Sequence, residues 1–104
     1  LQTGGYDDLE GETFDVVINA TSAGLAGEAL PLPAGLFASG ALAYDMVYGK
    51  GLTPFLRQAQ AAGVTALADG VGMLVEQAAE AFLWWRGVRP ATREVIARLS
   101  VPLV

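Results

Sequence analysis

The sequence predicts an α/β fold in which three short parallel strands alternate with helices, and three observations carry that prediction. Phe14–Ala20 (Phe-Asp-Val-Val-Ile-Asn-Ala) is nearly continuous in apolar, β-branched residues, the pattern of a strand covered on both faces. A second apolar run, Leu42–Val47, leads within a few residues to Thr53-Pro54, a helix opening. The order strand, helix, strand, helix, strand, helix then implies parallel strands joined by right-handed crossovers. The middle stretch, Leu42–Phe55, organises the rest. In an open α/β sheet, ligands bind outside the carboxyl ends of the strands, so a site is expected near Tyr44–Gly51.

Taken in order, Leu1–Glu12 is polar and glycine-rich, a surface connection with a short helical turn around Tyr6–Leu9. After the first strand, Ala26–Ser39 carries Pro31 and Pro33 and reads as a loop whose short helical turn lays Leu36 and Phe37 into the core. Thr53 is a good N-cap and Pro54 suits the first helical position, where its missing N–H is not needed. That helix runs to about Ala62 and stops at Gly63. Val64–Ala68 is the third strand. A helix from about Val71 to Trp85 follows, apolar nearly all round apart from Glu76, Gln77 and Glu80, and so expected to be buried between layers. Gly87 ends it. A last helix starts at Pro90 and Thr92 and continues to about Leu99, and the tail beyond frays.

The bulk numbers narrow the function classes. With 104 residues the chain is one domain at most, yet it is 53% hydrophobic and only 16% charged. Its mean hydropathy is +0.42. A small domain buries a limited share of its surface, so this much apolar content implies cover from outside, by self-association or by the rest of a longer polypeptide. No stretch reaches the length of a membrane span. The net charge of −5 argues against nucleic acid, and four of the six cationic residues (Arg86, Arg89, Arg93, Arg98) are spread along the last fifth. Without cysteine or histidine there is no thiolate chemistry, no His-based catalysis and no metal site of the zinc type. Leu1-Gln-Thr-Gly-Gly is neither basic nor apolar, so no signal peptide is read there, and cytoplasmic localisation is the expectation. A start without methionine reads as processing or truncation.

Several residues invite a chemical reading. Asn19, Ala20, Thr21 and Ser22 follow the first strand. Their hydroxyls suit phosphate or ribose oxygens, and equally suit a Ser/Thr turn or helix cap. Met46 and Tyr48 share one face of the second strand, and Asp45 and Val47 the other. Asp45 reads either as a hydrogen-bonded structural acid that ties a neighbouring loop, the reading a strand-interior carboxylate favours, or as a catalytic acid. Lys50 reads as a solvated loop lysine. Gly70 and Gly72 open the apolar helix, where exposed N–H groups suit polar ligands. Gln77 sits in an apolar setting, where its amide must bond either to nearby backbone or to a ligand.

Taken together, Asn19-Ala-Thr-Ser-x-Gly24, Tyr44-Asp-Met-x-Tyr48, Thr53-Pro-Phe-Leu56 and Asp69-Gly-x-Gly-Met-Leu-x-x-Gln77-Ala78 resemble the shikimate dehydrogenase family. The resemblance runs from about Phe14 to Leu99. It implies the second half of a Rossmann-like doubly wound parallel sheet, with three strands and about three main helices. Residues 1–104 would then be a single partial domain, the carboxyl-terminal half of an NADP-binding domain plus terminal helices. By the same resemblance, Asn19, Ala20, Thr21 and Ser22 lie along NADP, Met46 packs by the nicotinamide, and Gly70 offers its carbonyl to the carboxamide. Tyr48 and Gln77 bond the substrate, shikimate or 3-dehydroshikimate. The family's proton-transferring lysine and aspartate, its glycine-rich pyrophosphate loop and its NADP-selecting basic residues match nothing here. The chain therefore holds no catalytic residue of its own and is expected to be inactive alone. Quinate/shikimate dehydrogenases share the fold, and this half does not separate the two substrates. The alternative reading is a non-catalytic half-domain that binds a partner or self-associates through its sheet edge and its Phe82, Trp84 and Trp85 surface.

Overall fold

The computed structural model describes residues 1–49 and 51–104; Lys50 lies outside the described residues. Three strands, β1 (Phe14–Asn19), β2 (Phe37–Asp45) and β3 (Ala66–Ala68), form one parallel sheet in the order β1-β2-β3. The helices are α1 (Pro54–Ala61), α2 (Val71–Arg86) and α3 (Arg93–Leu99). A 3₁₀ turn over Tyr6–Leu9 precedes β1, at the place the sequence predicts.

α1 forms where Thr53 caps it, its hydroxyl oxygen accepting the Leu56 N–H at 3.2 Å, with Pro54 at the first helical position. It ends in a Schellman motif. The N–H groups of Gly63 and Val64 donate to the carbonyls of Gln60 and Ala59, both at 3.0 Å, and Gly63 takes φ +93°. Because Val64 spends its N–H on the helix, the third strand begins at Ala66 rather than at Val64. The apolar side of α1, Phe55, Leu56 and Ala59, packs with Leu52 and Val64 on Ala43 of β2. The Phe55 ring meets Phe37 at 6.2 Å between centroids. The row Val17, Ala43, Leu67, aligned across the three strands, faces this core.

Several expectations need correction. The second strand starts at Phe37, not Leu42, and ends at Asp45. Its first part is hidden in the sequence by small residues and by Gly40, whose φ of +74° allows the register to jump from Phe14–Phe37 to Val16–Leu42. The helical turn before it lies at Ala23–Ala26, while Leu36 is buried without helix. The tail does not fray. Leu103 packs on the core, and the Pro102 carbonyl lies so close to Gly51 that an added Cβ there would approach it to 3.1 Å.

Two further corrections concern cover. The opposite sheet face carries the rows Val16, Leu42, Ala66 and Ile18, Tyr44, Ala68, and Val16 and Ile18 are 54% and 59% exposed. β1 is thus covered on one face only. Likewise α2 buries a single stripe, Val71, Val75 and Ala79, one residue per turn, while Trp84 and Trp85 are 81% and 79% exposed. The surface of 7068 Å² exceeds the roughly 5,500 Å² expected of a folded monomer of 10.8 kDa. The radius of gyration, 15.6 Å, likewise exceeds the about 13 Å of a compact domain this long. The molecule is elongated, 48 × 33 × 28 Å, and leaves apolar faces that no other part of the described residues covers. Among the described residues no helix is long and apolar enough to cross a membrane.

α3 is held against α2 by a polar clasp. Arg89 forks between Glu76 and Glu80, at 2.5 Å to each. The Thr92 hydroxyl donates to Glu76 at 2.7 Å and makes no capping bond to α3. Glu76 and Glu80 lie one helical turn apart and would repel; the shared guanidinium turns that repulsion into a bridge.

Candidate functional site

The parallel strands bring the ends of β1 and β2 side by side. A cleft of about 440 Å³ opens there, lined by Ala20, Thr21, Leu25, Met46, Val47 and Tyr48. Met46 and Tyr48 are 38% and 43% exposed, so both present surface to a ligand. They follow the end of β2 at Asp45, and Val47, expected from alternation on the other face, lines the cleft beside them. The walls are apolar apart from the Thr21 and Tyr48 hydroxyls and backbone, and no charged side chain among the described residues lines it. Two further hollows, about 480 and 250 Å³, lie against the amino-terminal segment and along the edge of β1, and the second reaches Asn19 and Thr21.

Beneath the cleft lies a buried polar network. Asn19 donates through Nδ2 to Asp45 Oδ1 at 3.2 Å, and the Val47 N–H donates to the same oxygen at 3.0 Å. Thr53 donates its hydroxyl to Asp45 Oδ2 at 2.5 Å. Asn19 Oδ1 in turn accepts the Thr21 N–H at 3.0 Å and the Thr21 hydroxyl at 2.8 Å. Asn19 is therefore buried and spends its amide inside the fold, so any ligand contact falls to the residues after it. Asp45 is the structural acid the strand position implies. Thr53 has a role beyond the cap read from the sequence, and Leu25 lines the cleft without any sequence signal to mark it.

Behind the cleft, the Gly70 N–H donates to the Val47 carbonyl at 3.3 Å. The Gly70 carbonyl accepts the Leu74 N–H at 3.0 Å, and the residue is buried and does not line the cleft. A Cβ at Gly70 would collide with the Met46 carbonyl, so glycine is required by close approach. Ser22 is exposed at the start of the Ala23–Ala26 turn, where its carbonyl accepts the Leu25 N–H at 3.0 Å. Tyr44, on the opposite sheet face, has its pKa raised by burial and by the nearby Asp69 carboxylate.

Gln77 departs from its expected setting. It is exposed, and its Nε2 donates to the Leu74 carbonyl of its own helix at 2.9 Å. The apolar crowding anticipated around it is absent because α2 stands clear of the sheet. It does not line the cleft with Met46 and Tyr48.

An open parallel sheet with a cleft across the carboxyl ends of adjacent strands defines a Rossmann-like α/β protein. A family model described as Shikimate 5'-dehydrogenase C-terminal domain matches residues 70–99. A shikimate dehydrogenase (NADP(+)) of Dechloromonas aromatica is 60% identical over all of this chain, which spans 38% of that protein. The crystal structure of an Ael1 enzyme from Pseudomonas putida is 62% identical, with TM-score 0.84 over 95% of this chain and 36% of that one. A shikimate 5-dehydrogenase from Thermus thermophilus, crystallised with NADP(H) and shikimate, is 39% identical with TM-score 0.67 over 82% of this chain and 34% of that one. Over nearly its whole length the chain is similar to the carboxyl-terminal portion of shikimate dehydrogenases, and it spans little more than a third of these relatives' length.

Proposed function

We propose that this chain supplies the carboxyl-terminal part of an NADP-dependent shikimate dehydrogenase, which reduces 3-dehydroshikimate to shikimate. The observation that carries the reading is the convergence of Thr21, Met46 and Tyr48 on one cleft at the strand ends. An apolar wall with a few hydroxyls suits the flat nicotinamide ring, and the family resemblance gives the Gly70 carbonyl, behind that wall, to its carboxamide. NADPH, when bound, supplies the hydride.

In this reading Ala20, Thr21 and Ser22 border the cofactor, Asn19 holds their turn, and Met46 packs beside the ring. Tyr48 donates to the substrate, and Gln77, free to swing from its exposed position, bonds the same molecule from α2. Neither Tyr48 nor Gln77 is a general acid here; both bind and orient. Proton transfer to the developing alkoxide falls to groups outside these 104 residues. The isolated chain is therefore a half-site without turnover.

The test is the NADP+-dependent oxidation of shikimate, followed by NADPH absorbance. The complete protein carrying these residues turns over and the isolated chain does not. A complete protein that binds neither NADP+ nor shikimate refutes the reading.

One observation favours a second reading. The uncovered Val16 and Ile18 face and the exposed tryptophans suit a half-domain that associates with a partner or with itself. That reading gains if the purified chain forms a stable, soluble dimer with no affinity for NADP+.

A further inference from the structure

Asp45 is the one carboxyl group among the described residues that the chain encloses completely, at 0% exposure. A buried acid is tolerated when its oxygens are hydrogen-bonded, and here all the donors are neutral: Asn19 Nδ2, the Val47 N–H and the Thr53 hydroxyl. They come from three separate segments: the end of β1, the corner after β2, and the N-cap of α1. Two of these segments also carry the cleft. Asn19 clamps Thr21 through two hydrogen bonds, and Val47 sits between Met46 and Tyr48. The third anchors the network to α1, since the Thr53 oxygen that donates to Asp45 also accepts from Leu56 N–H.

We propose that Asp45 is a positioning residue for cofactor binding, setting the spacing of Thr21 against Met46 and Tyr48 across the cleft without touching the ligand. The proposal rests on the NADP reading above. The chemistry favours an acid at this point. A carboxylate accepts on both oxygens, whereas an amide places a donor against one of three donors already in place. Thr53 would then act at one remove, holding Oδ2 while it caps α1. Removing its hydroxyl frees Asp45 to tilt, and with it the ends of both strands.

The test measures Kd for NADP+ by calorimetry on the complete protein carrying these residues. The variants are Asp45→Asn, Thr53→Val and Thr53→Ser, each at a temperature where circular dichroism shows it folded. A misplacement of about 1 Å at a site can cost on the order of 10²-fold. Asp45→Asn and Thr53→Val are expected to raise Kd and KM for NADP+ about tenfold, with kcat falling less. Thr53→Ser, which keeps the hydroxyl, is expected to restore the parent values. If Asp45→Asn fails to fold, Thr53→Val, nearly isosteric and outside the cleft, decides the matter. Folded variants that melt earlier yet bind NADP+ as the parent does overturn the proposal and leave Asp45 a purely structural acid. A parent protein that does not bind NADP+ at all overturns the functional reading, and this proposal with it.

Discussion

Gly70 and Met46 meet so closely that a single methyl group on Gly70 would occupy the place of the Met46 carbonyl oxygen. Gly70 has φ −80°, which any residue adopts, so it is proximity and not conformational freedom that demands glycine. The contact pins the start of α2 to the end of β2, and the neighbouring Gly70 N–H to Val47 carbonyl bond holds the cleft's rear wall.

Gly70→Ala is therefore expected to destabilise the protein by about 1–3 kcal/mol, the range for overpacking a tight site. Gly72→Ala, whose Cβ would meet nothing within 4 Å, is expected to stabilise α2 by about 0.5–1 kcal/mol. Urea denaturation of the two variants checks the pair. Equal effects at both positions would show that the Met46 contact is relaxed in solution.

Phe55 fills the space between α1 and β2, wholly enclosed and tilted against Phe37. Phe55→Ala is expected to cost about 3–5 kcal/mol, transfer and cavity terms together. In a piece with so much uncovered surface, that loss is enough to abolish cooperative melting. A sharp calorimetric transition in the variant would place the core elsewhere.

The clasp between α2 and α3 depends on pH. Glu76 has its pKa lowered, first by the Thr92 hydroxyl and then by the Arg89 guanidinium. A folded pKa below the unfolded one means that the stabilisation is complete above the ordinary carboxylate range. It is lost as pH falls through the lowered folded value. Thr92→Val removes the largest cause, and the Glu76 carboxyl is expected to titrate at higher pH, as read by carbon NMR. An unchanged titration would assign the shift to Arg89 alone.

In the complete protein, Tyr48→Phe and Gln77→Ala each remove one proposed substrate hydrogen bond. A net bond of about 0.5–1.5 kcal/mol corresponds to a rise in KM for shikimate of roughly twofold to tenfold. The KM for NADP+ is expected to stay near the parent value. Steady-state kinetics with each substrate varied separates the two, and unchanged constants for shikimate would remove both residues from the site.

The exposed face of β1 predicts association of the isolated chain. Ile18→Lys places a charge in the middle of that face, where it is expected to weaken self-association seen by sedimentation. Identical sedimentation of parent and variant would show that another surface is responsible.

How far the sequence reaches is clearest at particular residues. Thr53, Pro54, Gly63 and Gly87 mark helix ends within one residue, because a cap bonds to backbone three or four positions away. The beginning of β2 escaped because Gly40 and its small neighbours break the apolar run, and their strand pairing is with β1, far away in the chain. At the site, Met46 and Tyr48 were singled out by the family resemblance rather than by strand alternation, since β2 ends at Asp45 and Val47 lines the same cleft with them and Thr21.

By itself the sequence determined the α/β order, the capped helices and the small-residue turn after β1, all products of interactions between near neighbours. Only the tertiary structure decided what surrounds each side chain. It put Asn19 and Asp45, 26 positions apart, into one network, and it set the Thr92 hydroxyl against Glu76, 16 positions away. It also left Gln77 and Ile18 open to solvent. Burial and long-range hydrogen bonds depend on which surfaces meet, and an apolar residue reads the same in a strand whether its covering layer belongs to this chain or to another.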